Sequence, residues 1–166
     1  DKIATNIIKL PAPHPYFIRD FFIKRLETID KEKNIKFLKG NKLDKNFPNL
    51  NFKNLREAKK ILVGFKNSFF QEKVQTEVDP FQFLLVSILL VSFPEVYYKI
   101  FQNERFWTAD LYNKTAATKE DAFKQWDDYF SSLYSLYPDR EELLKQIFII
   151  LNHGYVSFLH DKEKGS

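Results

Sequence analysis

Thirteen residues constrain this chain most: Phe81–Phe93, FQFLLVSILLVSF, set between Asp79-Pro80 and Pro94. The run carries no charge. A bilayer span needs about 20 apolar residues, so this run is too short to cross one. Asp before Pro supplies an N-cap and a residue suited to the first helical turn, and Pro94 stops the helix before it. A helix apolar all round belongs inside a protein, so the segment predicts a fully buried core helix.

The rest of the chain reads as its packing. A length of 166 residues suits one domain. Residues 15–30 begin with Pro15 and place Ile18, Phe21, Phe22, Leu26 and Ile29 on one helical face. Residues 31–52 are Lys- and Asn-rich and read as a loop with room for a short helix. Asn54 is an N-cap for a helix over 54–75 with Leu55, Ala58, Leu62, Phe65 and Phe69 as its buried stripe, and Gly64 offers a close helix crossing. Glu95–Asn103 predicts a short helix and 104–117 a connector holding Trp107. Thr118 with Asp121 resembles a capping box opening a helix over 119–136, with Phe123, Trp126, Tyr129, Phe130 and Leu133 at helical spacing. Pro138-Asp139 restarts the chain into Glu142–Asn152, with Gly154 as its cap. Asn6–Leu10 reads as a short strand without a partner. The expected fold is all-α, an irregular bundle of five to seven helices, with that orphan strand near the N-terminus.

Composition removes function classes. There is no Cys, so no disulfide, thiolate metal site or cysteine nucleophile is available. The four glycines, Gly40, Gly64, Gly154 and Gly165, match no phosphate loop, dinucleotide turn or nucleophile elbow. There is no Met, and the chain begins at Asp1. That is expected of a fragment, a processed form or a sequence written without its modified methionines. Gly165-Ser166 has the look of an expression scar.

No catalytic constellation stands out. His153 and His160 share a helical face only if a helix runs through Gly154, and two His ligands without a third make a poor metal site. Glu141-Glu142 and Asp127-Asp128 are sequence neighbours, which point apart on a helix and read as solvated surface. The 28 aromatics sit mostly at helix-face positions, which favours core packing over base stacking. Charge is uneven: residues 1–75 hold 17 Lys/Arg against 8 Asp/Glu, and residues 76–166 hold 9 against 14. The basic half reads either as a solvated lysine coat or as a surface for phosphate-bearing ligands, nucleic acid or an acidic protein. With no apolar leader, the expected compartment is the cytoplasm.

Two segments carry a family resemblance. Asn54–Phe65, NLREAKKILVGF, followed by Glu77–Tyr98, EVDPFQFLLVSILLVSFPEVYY, resembles the region after the nucleotide-binding core of KAP-family P-loop NTPases, with its basic helix, EVD step, apolar helix and PEVY turn. Asp1–Leu26, with its RDFF helix, is similar to the strand, loop and helix of the same family. The order is collinear across about residues 1–102. The resemblance implies residues 1–14 as the end of an NTPase core or linker, 15–102 as a lid-like helical subdomain and 103–166 as a C-terminal helical extension. The Walker motifs would lie upstream of Asp1. ATP and Mg would be cofactors of the parent and none of this segment, which alone would neither bind nor hydrolyse ATP.

The resemblance further implies Arg56 as a nucleotide sensor, its guanidinium reaching a terminal phosphate as a charged fork. Lys60 follows one turn later on the same side, in place of the family's usual Arg. The implied partners are the upstream NTPase core and a protein effector in signalling or phage defence. No membrane segment is present in this chain, although the parent is open to membrane association. A stand-alone module binding protein or nucleic acid through the basic half is the other reading. A small enzyme has no supporting constellation.

Overall fold

A computed structural model describes residues 13–33, 50–71, 74, 77–107 and 118–164. The described residues form eight α-helices and one 3-10 turn. That all-α fold is the expected class, with one helix more than the expected range. The strand expected at Asn6–Leu10 and the short helix allowed within 34–49 lie outside the described residues.

Helix α1 (Pro15–Lys33) buries Ile18, Phe22, Leu26 and Ile29, while Phe21 is half-buried at the edge. Helix α2 (Leu55–Phe69) starts where predicted but ends at Phe69 rather than 75. Its buried stripe is Ala58, Ile61, Leu62, Phe65 and Phe69, so Ile61 takes the place expected of Leu55, which is only partly covered. Gly64 makes no close crossing: it is exposed, and a Cβ there meets nothing within 4 Å.

Helix α3 (Pro80–Ser92) is the apolar run. The Asp79 carboxylate accepts from the Gln82 N–H at 2.8 Å, and Pro80 opens the first turn. The helix packs on α2 and on α7 and leads directly into α4 (Pro94–Phe101). It is not covered on every side as expected, since Leu90 is 44% exposed. Phe93 N–H bonds the Leu89 carbonyl at 2.8 Å, and Pro94 then begins α4.

The expected connector contains a helical turn, α5 (Glu104–Trp107), which buries Phe106 and lets the Trp107 indole donate to the Ile100 carbonyl at 3.0 Å. Helix α6 (Lys119–Tyr134) is capped by Thr118, whose hydroxyl accepts from the Asp121 N–H at 3.1 Å. A 3-10 turn (Pro138–Arg140) then opens α7 (Glu141–Leu151). Gly154 is not the cap of α7. It lies inside α8 (His153–Lys164), and the break falls at Asn152. Asn152 is extended there, its side-chain oxygen accepts from Tyr155 N–H, and its amide donates to the Phe106 carbonyl. One residue thus ends one helix and caps the next.

A continuous cluster of buried residues runs from Ile18 to Phe158. Its later part is aromatic. Phe130 has seven ring neighbours, from Tyr155 at 4.6 Å to Phe106 at 6.5 Å between centroids. Many of the aromatics pack here and around Phe65 and Phe69, as expected of core packing, while Tyr16, Phe17, Tyr98, Phe101 and Trp107 are exposed. Among the described residues, no helix is long and apolar enough to cross a membrane.

Candidate functional site

The candidate site is built at the start of α2. Asn54 takes an extended backbone, and its side-chain carbonyl accepts the Glu57 N–H at 2.9 Å. Glu57 returns the favour one residue early: its Oε2 accepts the Lys53 N–H. The other carboxylate oxygen receives Arg140 Nη1 at 3.0 Å. Arg140 is 8% exposed and Glu57 10%, so this pair spans 83 residues in near-complete burial. Arg140 Nη2 donates to the Asn51 carbonyl at 2.9 Å, and the guanidinium stands 4.3 Å from the centroid of Phe93. The start of α2, the end of α3 and the 3-10 turn are thereby locked together.

This lock frames a cleft of about 320 Å³. Its basic wall is Lys53, Arg56 and Lys60, and its far wall is Val91, Ser92, Pro94 and Tyr137. Arg56 and Lys60, the two residues singled out by the resemblance, therefore share one cleft. Both are exposed, and neither joins an ion pair among the described residues. Lys53 lies over the Tyr137 ring at 5.9 Å. Burial, first of all, raises the Tyr137 hydroxyl above its ordinary pKa, so it stays protonated at neutral pH. The Ser92 hydroxyl on the far wall is buried without a hydrogen-bond partner among the described residues.

Electrostatically the cleft is positive. Among the described lining residues the one carboxylate, Glu57, is already engaged by Arg140. The helix start adds partial positive charge from N–H groups that have no partner within the helix. Such an arrangement attracts a phosphate or carboxylate group. It offers no glycine-rich cradle for a whole nucleotide. Among the described residues there is no group of three His, Cys, Asp or Glu able to hold a metal ion.

The acid pairs behave as helix-surface residues. Lys145 bridges Glu141 at 2.8 Å and Glu142 at 3.0 Å, and Asp127 receives Lys162. The second buried polar feature is the Tyr134–Tyr155 hydroxyl pair. Burial pushes the Tyr155 hydroxyl up to about 12 and raises Tyr134 as well, with Tyr155 as a further cause. Both are neutral at physiological pH and serve packing.

Sequence reading overlooked Glu57, Ser92, Tyr137 and Arg140. Glu57 had a signal, since Asn54-x-x-Glu57 has the spacing of a capping box. Arg140 had none, because nothing local indicates an arginine reaching back across 83 residues. No family model, curated protein or solved structure matches the chain.

Proposed function

We propose that the chain is a non-catalytic helical lid and regulatory module of a KAP-like P-loop NTPase, coupling nucleotide state to an effector protein. The observation that carries this reading is the common positive cleft of Arg56 and Lys60, neither of which joins an ion pair among the described residues. Arg56 supplies a planar fork for two phosphate oxygens, and Lys60 a point charge one turn away. Lys53 and the Ser92 hydroxyl border the same space. ATP with Mg, when held by a core preceding Asp1, supplies the scissile phosphoanhydride. This chain contributes contacts to the terminal phosphate alone, since its cleft has cations but no glycine cradle.

The test begins with the reading frame upstream of Asp1, which should encode a phosphate loop. In the protein carrying both parts, Arg56→Ala should slow ATP turnover by about a hundredfold to a thousandfold, as for a lost transition-state donor. It should leave stability nearly unchanged, because the side chain is exposed. The isolated chain should show no ATP turnover. An upstream sequence without a phosphate loop, or unchanged kinetics for the variant, sinks the proposal.

The same basic cleft also favours a second reading, a stand-alone module that binds nucleic acid through the Lys-rich half. Such binding would weaken steeply as salt rises. A flat low-salt titration against duplex and single-stranded DNA and RNA would eliminate it.

A further inference from the structure

A different groove runs between α1 and α2, on the Lys59 side of α2 rather than the Lys60 side. Its volume is about 310 Å³. The floor is apolar: Phe21 and Ile29 from α1, Leu62 and Val63 from α2. Val63 is 58% exposed, a large aliphatic side chain left open in the groove. The rim is cationic, with Arg25, Lys59 and Lys66. Along α1 the lining extends from Phe21 to Glu32, roughly 16 Å or three turns at the helical rise.

Among the described residues the charges on that rim are poorly matched. Arg25 and Lys59 both converge on the Phe21 ring, at 5.8 and 5.9 Å from its centroid. Neither makes an ion pair among the described residues. The one carboxylate among the described lining residues, Glu32, faces Lys66 at 3.8 Å. Two like charges around one ring repel each other, and among the described residues neither has a carboxylate partner, so an incoming carboxylate is favoured there. The apolar floor distinguishes the ligand further. A phosphate backbone gains nothing from Leu62 and Val63, whereas an amphipathic helix covers them and brings carboxylates to the rim.

We propose that this groove receives an acidic amphipathic helix of a partner protein. Apolar side chains spaced three or four residues apart lie over Leu62 and Val63, and flanking carboxylates pair with Arg25 and Lys59. The proposal does not rest on the nucleotide reading, and either can fail without the other.

The probe is a fluorescein-labelled synthetic peptide of about 18 residues, above the roughly 12–15 needed for a helix in water. It carries Leu on one face and Glu on both flanks, and a second peptide replaces each Glu with Gln. Fluorescence polarisation against the full chain should give a micromolar Kd, in keeping with a small transient interface. The Gln peptide should bind at least about tenfold more weakly. Arg25→Glu, Lys59→Glu and Val63→Asp should each weaken the Glu peptide by about tenfold, while Lys164→Glu, a distant charge-matched control on α8, leaves it unchanged. Circular dichroism confirms that each variant is folded, and amide chemical shifts should move at residues 62 and 63.

Several results overturn the proposal. One is absence of saturable binding, and another is equal affinity for the Glu and Gln peptides. Self-association of the chain that Lys59→Glu abolishes would give the groove to a second copy instead. Duplex DNA bound through Arg25 and Lys59 with no effect of Val63→Asp would give it to nucleic acid.

Discussion

Replacing Arg140 with Leu removes the clamp that fixes the start of α2. Two charged hydrogen bonds disappear, to Glu57 at 3.0 Å and to the Asn51 carbonyl at 2.9 Å. Hydrogen bonds to charged groups contribute about 1.5–3 kcal/mol each. The stacking over Phe93 at 4.3 Å adds up to about 2 kcal/mol in a dry site. Against this, the variant no longer desolvates a guanidinium whose Nε has no partner among the described residues. Glu57 is left 10% exposed without its counter-charge, although it keeps the Lys53 N–H and the favourable end of the helix dipole. Breaking one side of a buried pair costs about 3–5 kcal/mol, and these remaining contacts place the loss near about 3 kcal/mol. The double change Glu57→Leu with Arg140→Leu removes both charges and should cost less than the single change. The assay is urea unfolding followed by helical circular dichroism. With a slope of about 2 kcal/mol per molar, the Arg140→Leu midpoint should fall by about 1.5 M. A loss below about 1 kcal/mol, or a double variant whose cost equals the sum of the singles, would refute the clamp as an energetic unit.

Gly64→Ala should raise stability by about 1 kcal/mol, because Gly64 sits in an exposed helix interior with open space around its Cβ; a lowered thermal midpoint would contradict that placement. Phe130→Ala should cost about 4–5 kcal/mol, the upper end of aromatic truncations, since seven rings surround it at 1% exposure. A loss under about 2 kcal/mol in denaturant unfolding would show a looser aromatic core. Alkaline pH should unfold the chain in a defined window. The Tyr134 and Tyr155 hydroxyls hold their protons more tightly folded than unfolded, so their stabilisation is complete below the ordinary tyrosine value of 10.0 and is lost as pH rises toward about 12 and beyond. Tyrosinate absorbance and circular dichroism should change together there, and Tyr155→Phe should move the transition.

Local rules alone determined where most helices begin and which face they bury. Asn54, Asp79 and Thr118 each cap the helix that follows, because a short polar side chain satisfies an amide that no preceding turn can reach. The stripe of α1 followed from the 3.6-residue period and that of α6 in part, since Trp126, Phe130 and Leu133 are buried together with Ala122 while Phe123 and Tyr129 are only partly covered; the all-α class followed from the sum of such stripes. Local rules failed where two signals competed. Gly154 resembled a cap, yet Asn152 breaks α7 and caps α8, since its amide also meets the buried Phe106 carbonyl 46 residues away. The 13-residue apolar run read as covered all round, but Leu90 is left open, and how many neighbours surround a helix is a property of the assembled bundle. The candidate site divides the same way. Arg56 and Lys60 were legible as two cations one turn apart on a capped helix. Only the tertiary structure set them opposite Ser92 and Tyr137 and held them there through Arg140, because a long-range ion pair leaves no period, cap or turn in the residues beside it.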